Sequence, residues 1–206
     1  MRFSNLPAGS IEAYIAVIAT IIVCFVFIKM SVGYTQKRAQ QRYAENKQKA
    51  PSIHGFTHLS KILFVSAMLL TTVSYWWDFP PTLLFHDSAL LRLSGALWVL
   101  CGYIGLNHAF AALGNNYSPL FDAYRPFDLT KDGAYRYIRH PIYLFNLFVS
   151  FGLALSSGLI VVVFIALIGA VFVIKALLME ERYLKVQFAE YDAYCVGTWR
   201  LIPFVF

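Results

Sequence analysis

Charge is scarce in this 206-residue chain: only 14% of its residues are Asp, Glu, Lys or Arg, where a soluble domain carries about 25%. With 59% of residues hydrophobic, a water-soluble globule of this size is excluded, because it would leave large apolar patches exposed. Disorder is excluded on the same ground. Internal repeats and low-complexity segments are lacking, which sets aside collagen and coiled-coil arrays. Cysteine is sparse as well: Cys24, Cys101 and Cys195 lie far apart and form no CxxC or Cys/His pattern. Neither a disulfide framework nor a metal site is therefore expected. Lys and Arg number 17 against 11 Asp and Glu, a net charge of +6. In a soluble protein that excess would suggest nucleic acid; in a membrane protein it marks cytosolic loops. With a mean hydropathy of +0.59, the second reading applies, and no nucleic-acid partner is expected.

A membrane-spanning helix needs roughly 20 mostly apolar residues to cross about 30 Å of hydrocarbon. Residues 11–30 fit, and with no small-residue cleavage site they read as a retained span, not a signal peptide. A polar stretch, 31–61, separates them from a second span at 62–77, which the turn signal Asp78-Phe79-Pro80-Pro81 closes. The third runs from 89 to 113. A loop of some 27 residues, 114–140, is long enough to be functional. The apolar stretch 141–179 is too long for one crossing, and Ser156-Ser157-Gly158 offers a turn within it. A helical hairpin is expected, with span four ending near Leu155, short for a full crossing, and span five beginning near Leu159. The fold class is thus an all-α polytopic bundle of about five spans in one membrane domain, 1–206.

Charge placement tests that count. Lys37, Arg38, Arg42, Lys47, Lys49 and Lys61, then Arg125, Lys131, Arg136 and Arg139, then Arg182, Lys185 and Arg200 all fall on one side. The opposite side has Arg2 and Arg92, and its two connecting loops contain no Lys or Arg. The positive-inside bias puts the N-terminus outside and the C-terminus in the cytosol. Spans four and five are antiparallel neighbours, so the start of one and the end of the other meet at the cytosolic level. There the sequence places Gly133-Ala134-Tyr135-Arg136-Tyr137-Ile138-Arg139-His140-Pro141-Ile142-Tyr143 beside Glu180-Glu181, Phe188, Tyr191, Tyr194 and Arg200-Leu201-Ile202-Pro203. Arginine, histidine, tyrosine and paired carboxylates converge against an apolar bundle.

The string GAYRYIRHPIY, the glutamate pair some forty residues later, the F-x-x-Y-x-x-Y spacing and the closing R-x-I-P resemble the isoprenylcysteine carboxyl methyltransferase family and its phospholipid methyltransferase relatives. Leu113-Gly114-Asn115-Asn116-Tyr117-Ser118-Pro119 is similar to that family's upstream loop. The resemblance covers 113–203, a little under half the chain, so 113–206 reads as the core and 1–112 as three preceding spans with the basic loop 31–61.

The resemblance implies an enzyme that binds S-adenosylmethionine from the cytosol and methylates a lipophilic or lipidated acceptor reached from the bilayer. Tyr135, Arg139, His140, Pro141, Tyr143, Glu180 and Glu181 are the expected cofactor-binding residues; Arg139, Glu181 and Arg200 the catalytic ones; Asn116, His108 and Arg200 those facing the acceptor. The residue types suit the task. Carboxylates accept from ribose hydroxyls or face a cation, Arg139 can clamp a carboxylate, and Pro141 at a helix start leaves N–H groups free at a positive helix end. Two departures stand out. Phe145 occupies a position where many members have glycine, and Cys195-Val196-Gly197-Thr198-Trp199 replaces a segment often rich in arginine. A different lipophilic acceptor, bearing an acid, thiol, amine or phenol group, therefore fits as well as the carboxylate of a prenylated cysteine.

Plainer roles exist for these residues. Arg136 and Arg139 can snorkel at the interface. Glu181 can pair with Lys185 at i,i+4, and an acidic pair at a helix C-terminus would oppose the dipole. His108 is more often a hydrogen-bonded bundle residue, His54 and His58 suit a solvated loop, and Tyr191 and Tyr194 suit interfacial anchors. Two competing functions remain: an NADPH-dependent membrane reductase of the sterol type, which shares the Tyr-rich end and the Arg200-to-Phe204 ending, and a non-enzymatic membrane scaffold. A prokaryotic inner membrane is the expected location, or the endoplasmic reticulum in a eukaryote.

Overall fold

The computed structural model describes residues 54–114 and 128–206, with the isolated positions 15, 19, 22, 26 and 33. The expected first span and Asn116 lie outside the contiguous described residues. Within them the fold is all-α: α1 (His54–Val73), α2 (Ala89–Leu113), α3 (Pro141–Ser157), α4 (Ile160–Gln187) and the short α5 (Tyr191–Val196). Single 3-10 turns at Pro81–Leu83 and Gly133–Arg136 stand in the connections.

Helices α2 and α4 are long and apolar enough to cross a membrane. Helix α3, with 17 residues, extends about 25 Å at 1.5 Å per residue. Helix α2 has the bounds expected of span three. Helix α1 differs: it begins at His54, inside the polar stretch, and ends at Val73, not Trp77. Beyond Val73 the chain tightens into turns, with Tyr75 N–H donating to Thr72 O at 3.2 Å and Trp76 N–H to Val73 O at 3.0 Å.

The helices alternate direction, so one end of the bundle gathers the end of α1, the start of α2 and the α3–α4 connection. Gly158 makes that connection in the left-handed region (φ 70°), where only glycine is at ease. A Cβ there would also lie 2.5 Å from the His86 carbonyl oxygen. Phe85 N–H donates to Gly158 O at 2.9 Å. Arg92, buried in the first turn of α2, donates from Nη1 to Ser74 O at 3.1 Å and approaches Asp87 at 3.7 Å. Its guanidinium carbon stands 5.8 Å from the Tyr75 ring centroid, and the Tyr75 hydroxyl bonds Ser156 Oγ. Histidine 86 reaches Leu155 O at 2.7 Å. Sequence reading noted Arg92 only as a charge on the sparse side.

The core lies mainly between α2 and α3. Val99, Tyr103, Leu106 and Phe110 pack against Val149, Leu153 and Ala154, with Val162 and Ala166 of α4 closing the third side. Glycines let the two backbones approach: a Cβ on Gly95 would meet Ser156 N at 2.4 Å and Gly152 O at 2.8 Å. On Gly105 it would meet the Phe145 ring at 2.2 Å. That notch accommodates the Phe145 ring. The space is found on the neighbouring helix, two residues before Asn107.

Candidate active site

The opposite end gathers the start of α3, the last turns of α4, α5 and the tail. Proline 141 occupies the first turn of α3 and His140 is its N-cap, without a side-chain cap of its own. The backbone ahead of α3 runs extended beside the tail. Ile138 and Trp199 form a parallel bridge, with Trp199 N–H donating to Tyr137 O at 2.9 Å and Arg139 N–H to Trp199 O at 2.8 Å. This pairing, between residues 138 and 199, brings Arg139 and Arg200 to the same turn of α4.

Between them lies the Glu181 carboxylate. Arg139 Nε donates to Oε1 at 2.8 Å and Arg200 Nε to Oε2 at 2.9 Å. Arginine 139 uses Nη1 on the tail backbone as well, reaching Cys195 O at 3.2 Å and the Thr198 carbonyl oxygen. The segment 195–198 thus supplies carbonyl acceptors for this arginine. His140 Nε2 stands 3.5 Å from Glu181 Oε1, and Nδ1 3.7 Å from Glu180 Oε2. Tyrosine 143 hydrogen-bonds the Glu180 carboxylate. Tyr194 donates to Tyr135 O at 2.6 Å, and Thr198 Oγ1 to Tyr194 O at 2.7 Å.

Among the described residues the buried Tyr191 Oη of this cluster has no hydrogen-bond partner, and His140 Nε2 has only the long 3.5 Å approach to Glu181. An unsatisfied buried donor or acceptor costs about 1–3 kcal/mol, so a site that keeps such a hydroxyl calls for a ligand that would satisfy it.

Electrostatics follow from this packing. The apolar part of α4 ends at Met179, and Glu180 and Glu181 lie beyond it. Burial alone would raise the Glu181 carboxyl; His140 and Arg139 outweigh it and bring it down to about 2. Burial pushes the Tyr191 and Tyr194 hydroxyls up, and raises the Cys195 thiol too.

Of the residues expected from sequence, Tyr135, Arg139, His140, Pro141, Tyr143, Glu180, Glu181 and Arg200 come together here. His108 does not join them: it sits exposed on α2 and makes none of the cluster's hydrogen bonds or ion pairs. The plainer pairing of Glu181 with Lys185 is replaced, since Lys185 bonds Asp192 at 2.9 Å. The dipole argument also falls away, because α4 continues to Gln187 and the glutamates are not at a helix end. Tyr191 is buried in the cluster, not anchored at an interface. Sequence reading missed Thr198, whose role rests on its backbone carbonyl, and Phe206, whose ring lies 4.8 Å from the Arg200 guanidinium carbon. No residue type signals a carbonyl acceptor, and only the long-range pairing reveals it.

Apolar helices ending in a buried knot of arginine, histidine and paired glutamates define a membrane protein with a polar site at one end of its bundle. The phospholipid methyltransferase family model matches residues 89–191, half the chain, and the chain belongs to that family. The match begins with the first residue of α2 and ends at Tyr191, so it includes α2 along with the helical hairpin. No curated protein matches the sequence.

Proposed function

We propose that this chain is an S-adenosylmethionine-dependent methyltransferase acting on a lipophilic acceptor. Its acceptor class would be that of the isoprenylcysteine carboxyl methyltransferase-like enzymes. Five spans, with the N-terminus outside and the charged end in the cytosol, complete the reading; the inner membrane of a prokaryote or the endoplasmic reticulum is the corresponding location. The observation that carries it is the buried Tyr191 hydroxyl, without a partner among the described residues, in a cluster with His140, Glu180 and Glu181 in a member of a methyltransferase family.

The residues fit the ligand. Adenosylmethionine supplies an electrophilic methyl group on a sulfonium, whose in-line displacement needs positioning and an enclosed site more than acid–base help. Glu180, the less encumbered of the two carboxylates, can accept from hydroxyls or face a positive charge. Pro141 at the start of α3 leaves that helix's first N–H groups to bind a carboxylate. Glu181, with both oxygens engaged by arginines, acts through them: it fixes Arg139 and Arg200 and is a positioning residue. Arg200, at the edge of the cluster, is the cation available to an acceptor entering from the bilayer.

Thermal shift of the detergent-purified protein with S-adenosylhomocysteine and with NADPH tests the reading. A ligand bound only by the folded state stabilises it by about 2.7 kcal/mol at 100 times its dissociation constant. A shift with adenosylhomocysteine alone is expected. A shift with NADPH alone would overturn the assignment in favour of a reductase.

A further inference from the structure

Lysine 175 interrupts the apolar run of α4, five residues before Glu180, and its side chain is exposed. That places its Cα about 7.5 Å short of the glutamates along the axis, at a depth where a lone charge is costly and marks function by default. Seven residues on, Arg182 is exposed as well. Seven steps of a helix return to within about 20° of the same azimuth, so both cations stand on one face, roughly 10.5 Å apart along it. Met179, also exposed, lies between them. This face points away from Glu180 and Glu181.

The carboxylates on α4 and just beyond it are engaged elsewhere. Glu181 holds Arg139 and Arg200, Glu180 faces His140, Glu190 pairs with Lys131 at 3.4 Å, and Asp192 with Lys185 at 2.9 Å. Among the described residues, Lys175 and Arg182 have no acidic partner. An anion from outside the described residues can therefore serve them both. A snorkelling lysine reaching up and an arginine at the headgroup level above it converge on the depth of lipid phosphates, and a guanidinium suits a phosphate oxygen pair.

We propose that Lys175 and Arg182 form a binding site for the phosphate of one phospholipid, seated on the outward face of α4 with an acyl chain along Val171 and Ile174. It is an anchoring site, separate from the methyl-acceptor site, and does not depend on the reaction proposed above.

Native mass spectrometry of the detergent-purified full chain tests it, with phosphatidylglycerol, a galactosyl diacylglycerol of the same acyl chains, and inorganic phosphate as probes. Phosphatidylglycerol should give one adduct that survives delipidation, and the galactolipid should not. Lys175→Gln with Arg182→Gln should weaken that adduct at least tenfold, whereas Lys185→Gln, which removes a paired cation, should leave it. Circular dichroism of the lipid-free variants shows whether they fold; should the double variant not fold, each single substitution is measured in its place. Equal retention by wild type and variant, equal loss in Lys185→Gln, or equal binding of galactolipid overturns the proposal. So does equal occupancy by inorganic phosphate, which would make the site one for a free anion.

Discussion

The two ends of the bundle both bury an arginine, and they treat it differently. At the connection end, Arg92 turns to the Ser74 carbonyl at 3.1 Å, with its carboxylate neighbour Asp87 more distant at 3.7 Å. It ties the end of α1 to the start of α2, and so closes the fold. At the other end two arginines share one carboxylate at 2.8 and 2.9 Å, and a histidine stands beside it at 3.5 Å. That is more polar chemistry than helix packing requires. A buried charge turned toward backbone belongs to architecture; a surplus of charge around one carboxylate belongs to a site.

The largest effect should come from breaking the surplus. Glu181→Gln leaves Arg139 buried without its counter-charge, and removing one partner of a buried pair costs about 3–5 kcal/mol. A lower melting temperature is expected together with at least a tenfold loss of adenosylhomocysteine affinity by calorimetry. Unchanged affinity would detach the carboxylate from the ligand site. Arg92→Met at the other end should cost about 1.5–3 kcal/mol, the worth of hydrogen bonds from a charged group, and leave that affinity intact. If Arg92→Met weakens the ligand as much as it weakens the fold, the two ends are not independent.

The legibility of the two ends differed for the same reason. Helix existence followed from apolar length, so α2 and the α3–α4 hairpin were readable to within a few residues. The site was readable because Arg139, His140, Glu180 and Glu181 are reactive types at the ends of antiparallel neighbours. Hidden from the sequence were partners that are backbone: the carbonyls of Cys195, Thr198 and Ser74 carry no residue signature. The start of α1 was misplaced because polarity marks where a membrane ends, and a helix can continue beyond it. Lys175 was passed over inside a run whose average was overwhelmingly apolar.

Near the site end, Gly105 and Phe145 couple α2 to the helix whose start carries the site. Gly105→Ala would place a Cβ 2.2 Å from the Phe145 ring, and overpacking of this kind costs about 1–3 kcal/mol. Phe145→Ala should relieve it, so the double variant should be more stable than the sum of the singles, with a coupling of about 0.5–3 kcal/mol. Additive melting temperatures would mean that the two helices adjust by sliding, and that the notch is not what admits the ring.

The smallest effect, and the sharpest separator of the ends, is in acid. A Glu181 carboxyl held down to about 2 in the folded protein titrates near its ordinary 4.5 once unfolded. The unfolded chain therefore binds the extra proton first, and stability falls as pH drops. The contribution of Glu181 is fully present above about pH 5 and is lost progressively as the pH falls from about 4.5 to about 2. Melting temperatures of wild type and Glu181→Gln should thus differ by a constant amount between pH 6 and 8 and draw together as the pH falls from about 4.5 toward about 2. The difference between wild type and Arg92→Met, which rests mainly on a carbonyl that does not titrate, should persist through the same window. Convergence of both pairs would mean that Asp87 matters to Arg92 more than its 3.7 Å separation implies.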